Sequence, residues 1–121
     1  MKLKEYQEAC KRTAKKFDSK DVEIATWGLG ITGEAGDVAS CIKKVFAHEN
    51  EEVREGIREN LGDTLWYIAM ICNFFNWDME KVLEENIEKL KKRYPEGFTI
   101  EDARRKGKKI DWNESGEEKW N

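Results

Sequence analysis

The sequence holds one proline, one histidine and three cysteines among 121 residues. One proline and nine glycines are too few turn-formers for an all-β sandwich. Cys10, Cys41 and Cys72 are odd in number, widely spaced and without a C-x-x-C pair. That excludes a disulfide framework and points to a reducing compartment. With His48 the single histidine, a zinc site is disfavoured as well. Long apolar runs are absent too. The longest, LWYIAMIC, has eight residues, and the N-terminus MKLKEYQEACK is charged from its second position, so neither a membrane span nor a secretory leader is expected. Net charge is -3, from 25 acids and 22 bases, which gives no bulk positive field for nucleic acid. The expectation is a cytoplasmic protein with no membrane partner.

What the chain has in quantity is charge. Charged and apolar residues each make up 39% of it, and the mean hydropathy is -0.84. A single domain of this length then has a thin core, unless its apolar side chains are gathered on faces or shared with another subunit.

Periodicity gathers them into four helices. The first spans about 3–17, on Leu3, Tyr6, Cys10, Ala14 and Phe17. The second runs from about 21 to 46, with a seam of Ile24, Trp27, Ile31, Ala35, Val38, Ile42 and Val45. Gly28, Gly30, Gly33 and Gly36 lie inside it, each costing about 1 kcal/mol against alanine. They call for a kink, a close neighbour, or a break into two shorter helices. The third, capped by Asn50, runs to about Phe75, and beyond Thr64 it is apolar on nearly every side, as befits a central or interface helix. Asp78 opens the fourth, with Leu83, Ile87, Leu90 and Tyr94 as its core face and Pro95 and Gly97 as its stop. The expected fold is an all-α antiparallel four-helix bundle over 1–98. Residues 99–121 form a charged extension, a short helix over 100–106 followed by a loose tail.

Some acids occupy positions unsuited to plain surface. At about 100° per residue, Glu34 lies roughly 60° from the second helix's seam and Asp37 about 120°, on the same side. Asn60 and Asp63 repeat the i, i+3 spacing on the third helix, sharing their side with Tyr67 and Phe74. Two such pairs on adjacent helices make an oxygen cage suited to Mg²⁺. A di-iron carboxylate bundle needs Glu-x-x-His, and Val45 stands three residues before His48. On the fourth helix Asn86, Lys89 and Arg93 fall within about 60° of one another, as a polyphosphate requires. Ordinary solvated surface is the competing reading of each of these features.

Three blocks carry a resemblance. GLGITGEAGDVASCIKK (28–44), ENLGDTLWYIA (59–69) and NIEKLKKRYPEGFT (86–99) resemble, in order, the MazG-like nucleoside triphosphate pyrophosphohydrolases, an all-α family. The helix-1 start YQEA fits as well. The resemblance implies Mg²⁺-dependent hydrolysis of a (deoxy)nucleoside triphosphate to monophosphate and pyrophosphate, with Mn²⁺ as a substitute. It also implies a homodimer or homotetramer, and a role in clearing surplus or non-canonical nucleotides. By position, Glu34, Asp37 and Asp63 become catalytic and metal-binding residues, and Asn86, Lys89 and Arg93 substrate contacts.

One departure stands out. The second motif ordinarily reads EELGD, and here it is Glu59-Asn60-Leu61-Gly62-Asp63. Asn60 stands where a metal carboxylate is expected; its oxygen can ligate Mg²⁺ but brings no charge. Either the metal site is weaker, or Glu59 has taken over, or the chain is an altered or inactive member that binds nucleotide or protein. A plain oligomerisation bundle is a further alternative. Trp27 and Tyr67 are candidates to stack on a base, against a core role, and Lys44 is a candidate for phosphate, against a helix-terminal one.

Overall fold

A computed structural model of the chain describes residues 1–104. Among these every regular element is helical: α1 (Leu3–Cys10), α2 (Lys20–Ala47), α3 (Arg54–Phe74), α4 (Met79–Arg93) and α5 (Ile100–Arg104). Short 3-10 turns occupy Lys11–Thr13 and Glu51–Val53. The all-α expectation holds. The chain forms two compact units, one of Met1–Val82 and one beginning at Leu83. The end of the helix expected over 100–106, and the tail after it, lie outside the described residues. Among the described residues no helix is long and apolar enough to cross a membrane.

The first helix is shorter than its periodicity implies. It ends at Cys10, tightens over Lys11–Thr13 and becomes extended at Ala14. The Thr13 hydroxyl lies 3.3 Å from the Cys10 carbonyl and also accepts the Trp66 indole N–H at 3.0 Å. A side chain that offers the backbone another partner competes with the helix ladder. Phe17 still reaches the core, meeting Trp27 edge-on with centroids 5.5 Å apart, but an extended segment carries it there.

Ser19 starts α2, its hydroxyl accepting from the Val22 N–H at 3.3 Å. The helix then runs 28 residues without a break through all four glycines. Packing along α3 overrides the propensity cost, as it does for most helices in proteins. Gly30 is explained by a neighbour: a Cβ there would overlap ring atoms of Tyr67. At Gly28, Gly33 and Gly36 a Cβ would meet nothing.

The register of α2 differs from the expected seam. Ala35 and Ile42 are exposed, Ile42 to 43%, while Trp27, Ile31, Glu34, Val38, Cys41 and Val45 are buried or half-buried. Their spacings of 4, 3, 4, 3 and 4 make a heptad seam. Close approach of α3 at Gly30 sets this rotation, and it places Glu34 in the seam itself.

α3 closes with Asn76 in the left-handed region (φ 58), a conformation asparagine tolerates. The Trp77 N–H donates to the Cys72 carbonyl and the Asn76 N–H to that of Asn73, a Schellman closure. Buried Gln7 ties α1 to this turn. Its amide donates to Asn73 Oδ1 and the Trp77 carbonyl, and its Oε1 accepts from the Met79 N–H at 2.8 Å. Around this knot lies the core, with Cys10, Trp27, Ala69, Met70, Cys72 and Met79 at its centre.

Candidate active site

α2 and α3 run antiparallel. Trp27 meets Trp66 and Tyr67 at one end, and Cys41 meets Gly56 and Asn60 toward the other. Glu34 and Asp63 fall between these contacts. Glu34 is half-buried, held in the seam by Ile31 and Val38 on either side; Asp37, Glu59 and Asp63 are exposed along its edges. The Glu34 carboxyl is pushed above the usual carboxylate range, by burial first and then by Asp63, Asp37 and Glu59 in turn. Four carboxylates from two helices therefore share one field, and its effect falls on Glu34.

That donor set is hard, anionic and all oxygen, the chemistry that Mg²⁺ prefers. Among the described residues, no group of three or more Asp, Glu, Cys or His stands ready to hold an ion. Glu34, half-buried, and Asp37 and Asp63, both exposed, are the side chains that would hold one.

Two side chains outside the sequence-derived candidates touch the acid-bearing turn of α3. The Tyr6 hydroxyl donates to the Gly62 carbonyl at 3.4 Å. Its pKa is pushed up to about 12, by burial first, then by a hydrogen bond and charge from Cys10, and last by Asp63. Cys41 receives the Asn60 amide N–H at Sγ, 3.6 Å away. Pattern singles out neither. Cys41 continues the 27, 34, 41 heptad, but only once that heptad is drawn through an acid; Tyr6 looked like an ordinary core position.

The aromatic candidates are packed. Trp27 is 3% exposed, its ring meets Phe17, Trp66 and Tyr67, and its indole N–H donates to Glu23 at 3.1 Å. As placed it offers no open face to a base. Tyr67 is half-buried against Gly30. Lys44 is exposed in the last turn of α2, where it complements the helix dipole.

The unit beginning at Leu83 carries the remaining candidates on α4. Asn86 is exposed and Lys89 and Arg93 are half-buried. Arg93 Nε is buried without a hydrogen-bond partner among the described residues. A guanidinium donor in that state suits an anionic oxygen. Of the expected core face, Leu83 and Ile87 are exposed while Leu90 and Tyr94 are half-buried.

Among the described residues the chain is helical, with an acid seated in the seam between α2 and α3. The MazG nucleotide pyrophosphohydrolase domain matches residues 22–98, and the chain belongs to that family. It is also similar to the Gene 37 protein of Mycobacterium phage L5, with 32% identity over 73 residues. That match covers 57% of this chain and 64% of the phage protein, so the chain spans less than two thirds of that relative's length. No solved structure matches.

Proposed function

We propose that the chain hydrolyses a (deoxy)nucleoside triphosphate to the monophosphate and pyrophosphate, with Mg²⁺ as cofactor and Mn²⁺ as a substitute, as a cytoplasmic nucleotide-pool cleaning enzyme. The observation that carries this reading is Glu34 in the interhelical seam with Asp37, Glu59 and Asp63 acting on it. A seam position normally takes an apolar side chain, and a carboxylate there has no packing rationale. Glu34, Asp37 and Asp63 would hold Mg²⁺, which when bound supplies Lewis-acid charge on phosphate oxygens. Glu34 and Asp37 are the candidates to orient water toward the α-phosphorus. Asn86, Lys89 and Arg93 are the proposed phosphate-binding groups, supported by the unpartnered Arg93 Nε.

A four-helix bundle acting as a homodimer or homotetramer belongs to the same proposal. Leu61 and Leu65 on α3 are 49% and 46% exposed, which favours cover by a second copy, and sedimentation gives the mass.

Purified chain incubated with a panel of nucleoside and deoxynucleoside triphosphates and Mg²⁺ should release pyrophosphate. No release above that of Asp63→Ala across the panel would sink the enzyme reading. The neutral Asn60 favours a second reading, a catalytically weakened chain that binds nucleotide or protein. On that reading Asn60→Glu raises turnover strongly.

A further inference from the structure

Asn60 and Glu59 compete for one role, and the two stand in different surroundings. Gly56 and Asn60, one turn apart, form a ridge of α3 seated on Cys41 of α2. The Asn60 amide donates to Cys41 Sγ at 3.6 Å, and a Cβ at Gly56 would lie 3.1 Å from the same sulfur. Glu59 and Asp63, also one turn apart, form the adjacent ridge, and both are exposed. On α3, Glu59 lies about 40° from the direction of Asp63, whereas Asn60 lies about 60° away on the other side. Asn60 is half-buried and spends its amide N–H on helix packing, whereas both carboxylates of the second ridge are open to solvent.

Electrostatics agree with the geometry. Glu59 is among the three carboxylates that act on Glu34. The amide of Asn60 contributes no charge and is engaged with sulfur.

We infer that Glu59, and not Asn60, supplies the second α3 carboxylate to the divalent cation, and that Asn60 is a strut between α3 and Cys41. The inference rests on the metal-dependent reading of the acid cluster. It relocates one carboxylate by a residue: the α3 pair in this chain is spaced i, i+4, and both acids of the pair remain anionic. Charge count and site rigidity set the affinity of oxygen-ligand cation sites, so the change keeps four carboxylates in the set.

The test is Mn²⁺ binding to the full chain, followed by the paramagnetic signal of the free ion, with a thermal melt of each variant. Glu59→Gln and Asp63→Asn should each weaken Mn²⁺ by about tenfold or more, since even groups that only orient a ligand are worth that much. Cys41→Ala and Asn60→Ala should lower the melting temperature and leave Mn²⁺ affinity unchanged. Glu59→Gln that binds Mn²⁺ as tightly as the unmutated chain, beside a weakened Asp63→Asn, overturns the inference and spares the functional reading. Asn60→Ala that loses affinity with an unchanged helical spectrum also overturns it, because Asn60 is then a ligand. An unmutated chain that binds Mn²⁺ no better than Asp63→Asn overturns both.

Discussion

At one end of the α2–α3 pair, Trp27 is buried among three rings and its indole N–H is taken by Glu23. Two turns along the same seam, Glu34 is half-buried with three other carboxylates acting against its charge. The aromatic end follows the rules of a core: close rings, bonded indole N–H groups, and a glycine where a neighbour needs the room. The acidic end breaks them, with an acid at a seam position and Gly33 and Gly36 facing open space. Both ends share two helices, so neither propensity nor helix geometry accounts for the contrast. One end holds the helices together, and the other keeps an acid in the seam although burial and neighbouring carboxylates oppose its charge.

The largest blow to this contrast is Trp27→Ala. It empties a large buried site and removes three ring contacts, and should destabilise folding by about 3–5 kcal/mol in a denaturant melt. The acids sit on the same two helices, so activity should fall only as far as the folded fraction does. A smaller and sharper comparison uses two glycines three residues apart. Gly30→Ala forces a Cβ into the Tyr67 ring, which is wedged beside Trp27 and Trp66, and should cost about 1–3 kcal/mol. Gly33→Ala meets nothing and should stabilise by about 0.5–1 kcal/mol through helix propensity. If both substitutions moved stability in the same direction, the division of α2 into a packed end and an open end would be wrong.

Legibility in the sequence followed the same division. The helices were readable because their apolar periodicity is strong; the α3 stop was less so, since it depends on Asn76 adopting a left-handed conformation. The first helix was overextended because Ala14 and Phe17 do face the core, and spacing alone cannot tell a helix from an extended segment that delivers the same side chains. The α2 seam was drawn through Ala35 and Ile42 because an apolar pattern skips acids. The true seam passes through Glu34 and Cys41, one residue earlier, because Gly30 admits Tyr67 and fixes the rotation. Motif and spacing therefore single out Glu34 but set it beside the seam it occupies, whereas Asp37 and Asp63, expected away from plain surface, are exposed. Trp27 is ambiguous in the sequence because an aromatic at helical spacing fits a core and a stacking face alike, until the rings that cover it are known. The Asn60–Cys41 pair was invisible, since nothing in the sequence links position 41 to position 60.

The smallest stability effect falls at the acidic end and has the opposite sign from a core mutation. Glu34 is a carboxyl whose folded-state pKa lies above its ordinary value, so between those two pH values the folded chain binds more protons than the unfolded one. Stability linked to this group is present below the ordinary carboxylate pKa and is lost as pH rises through the raised folded value. At neutral pH, without divalent cation, Glu34 is therefore a liability that Glu34→Gln removes. The variant should melt slightly higher than the unmutated chain at pH 7, and the gap should close as the pH falls below the carboxylate range. Mg²⁺ should raise the melting point of the unmutated chain more than that of the variant, because a cation compensates a charge that glutamine lacks. Pyrophosphate release should fall with the same substitution. A Glu34→Gln chain that melts lower at pH 7 would mean that Glu34 contributes packing to the seam, and the contrast between the two ends would then be one of degree.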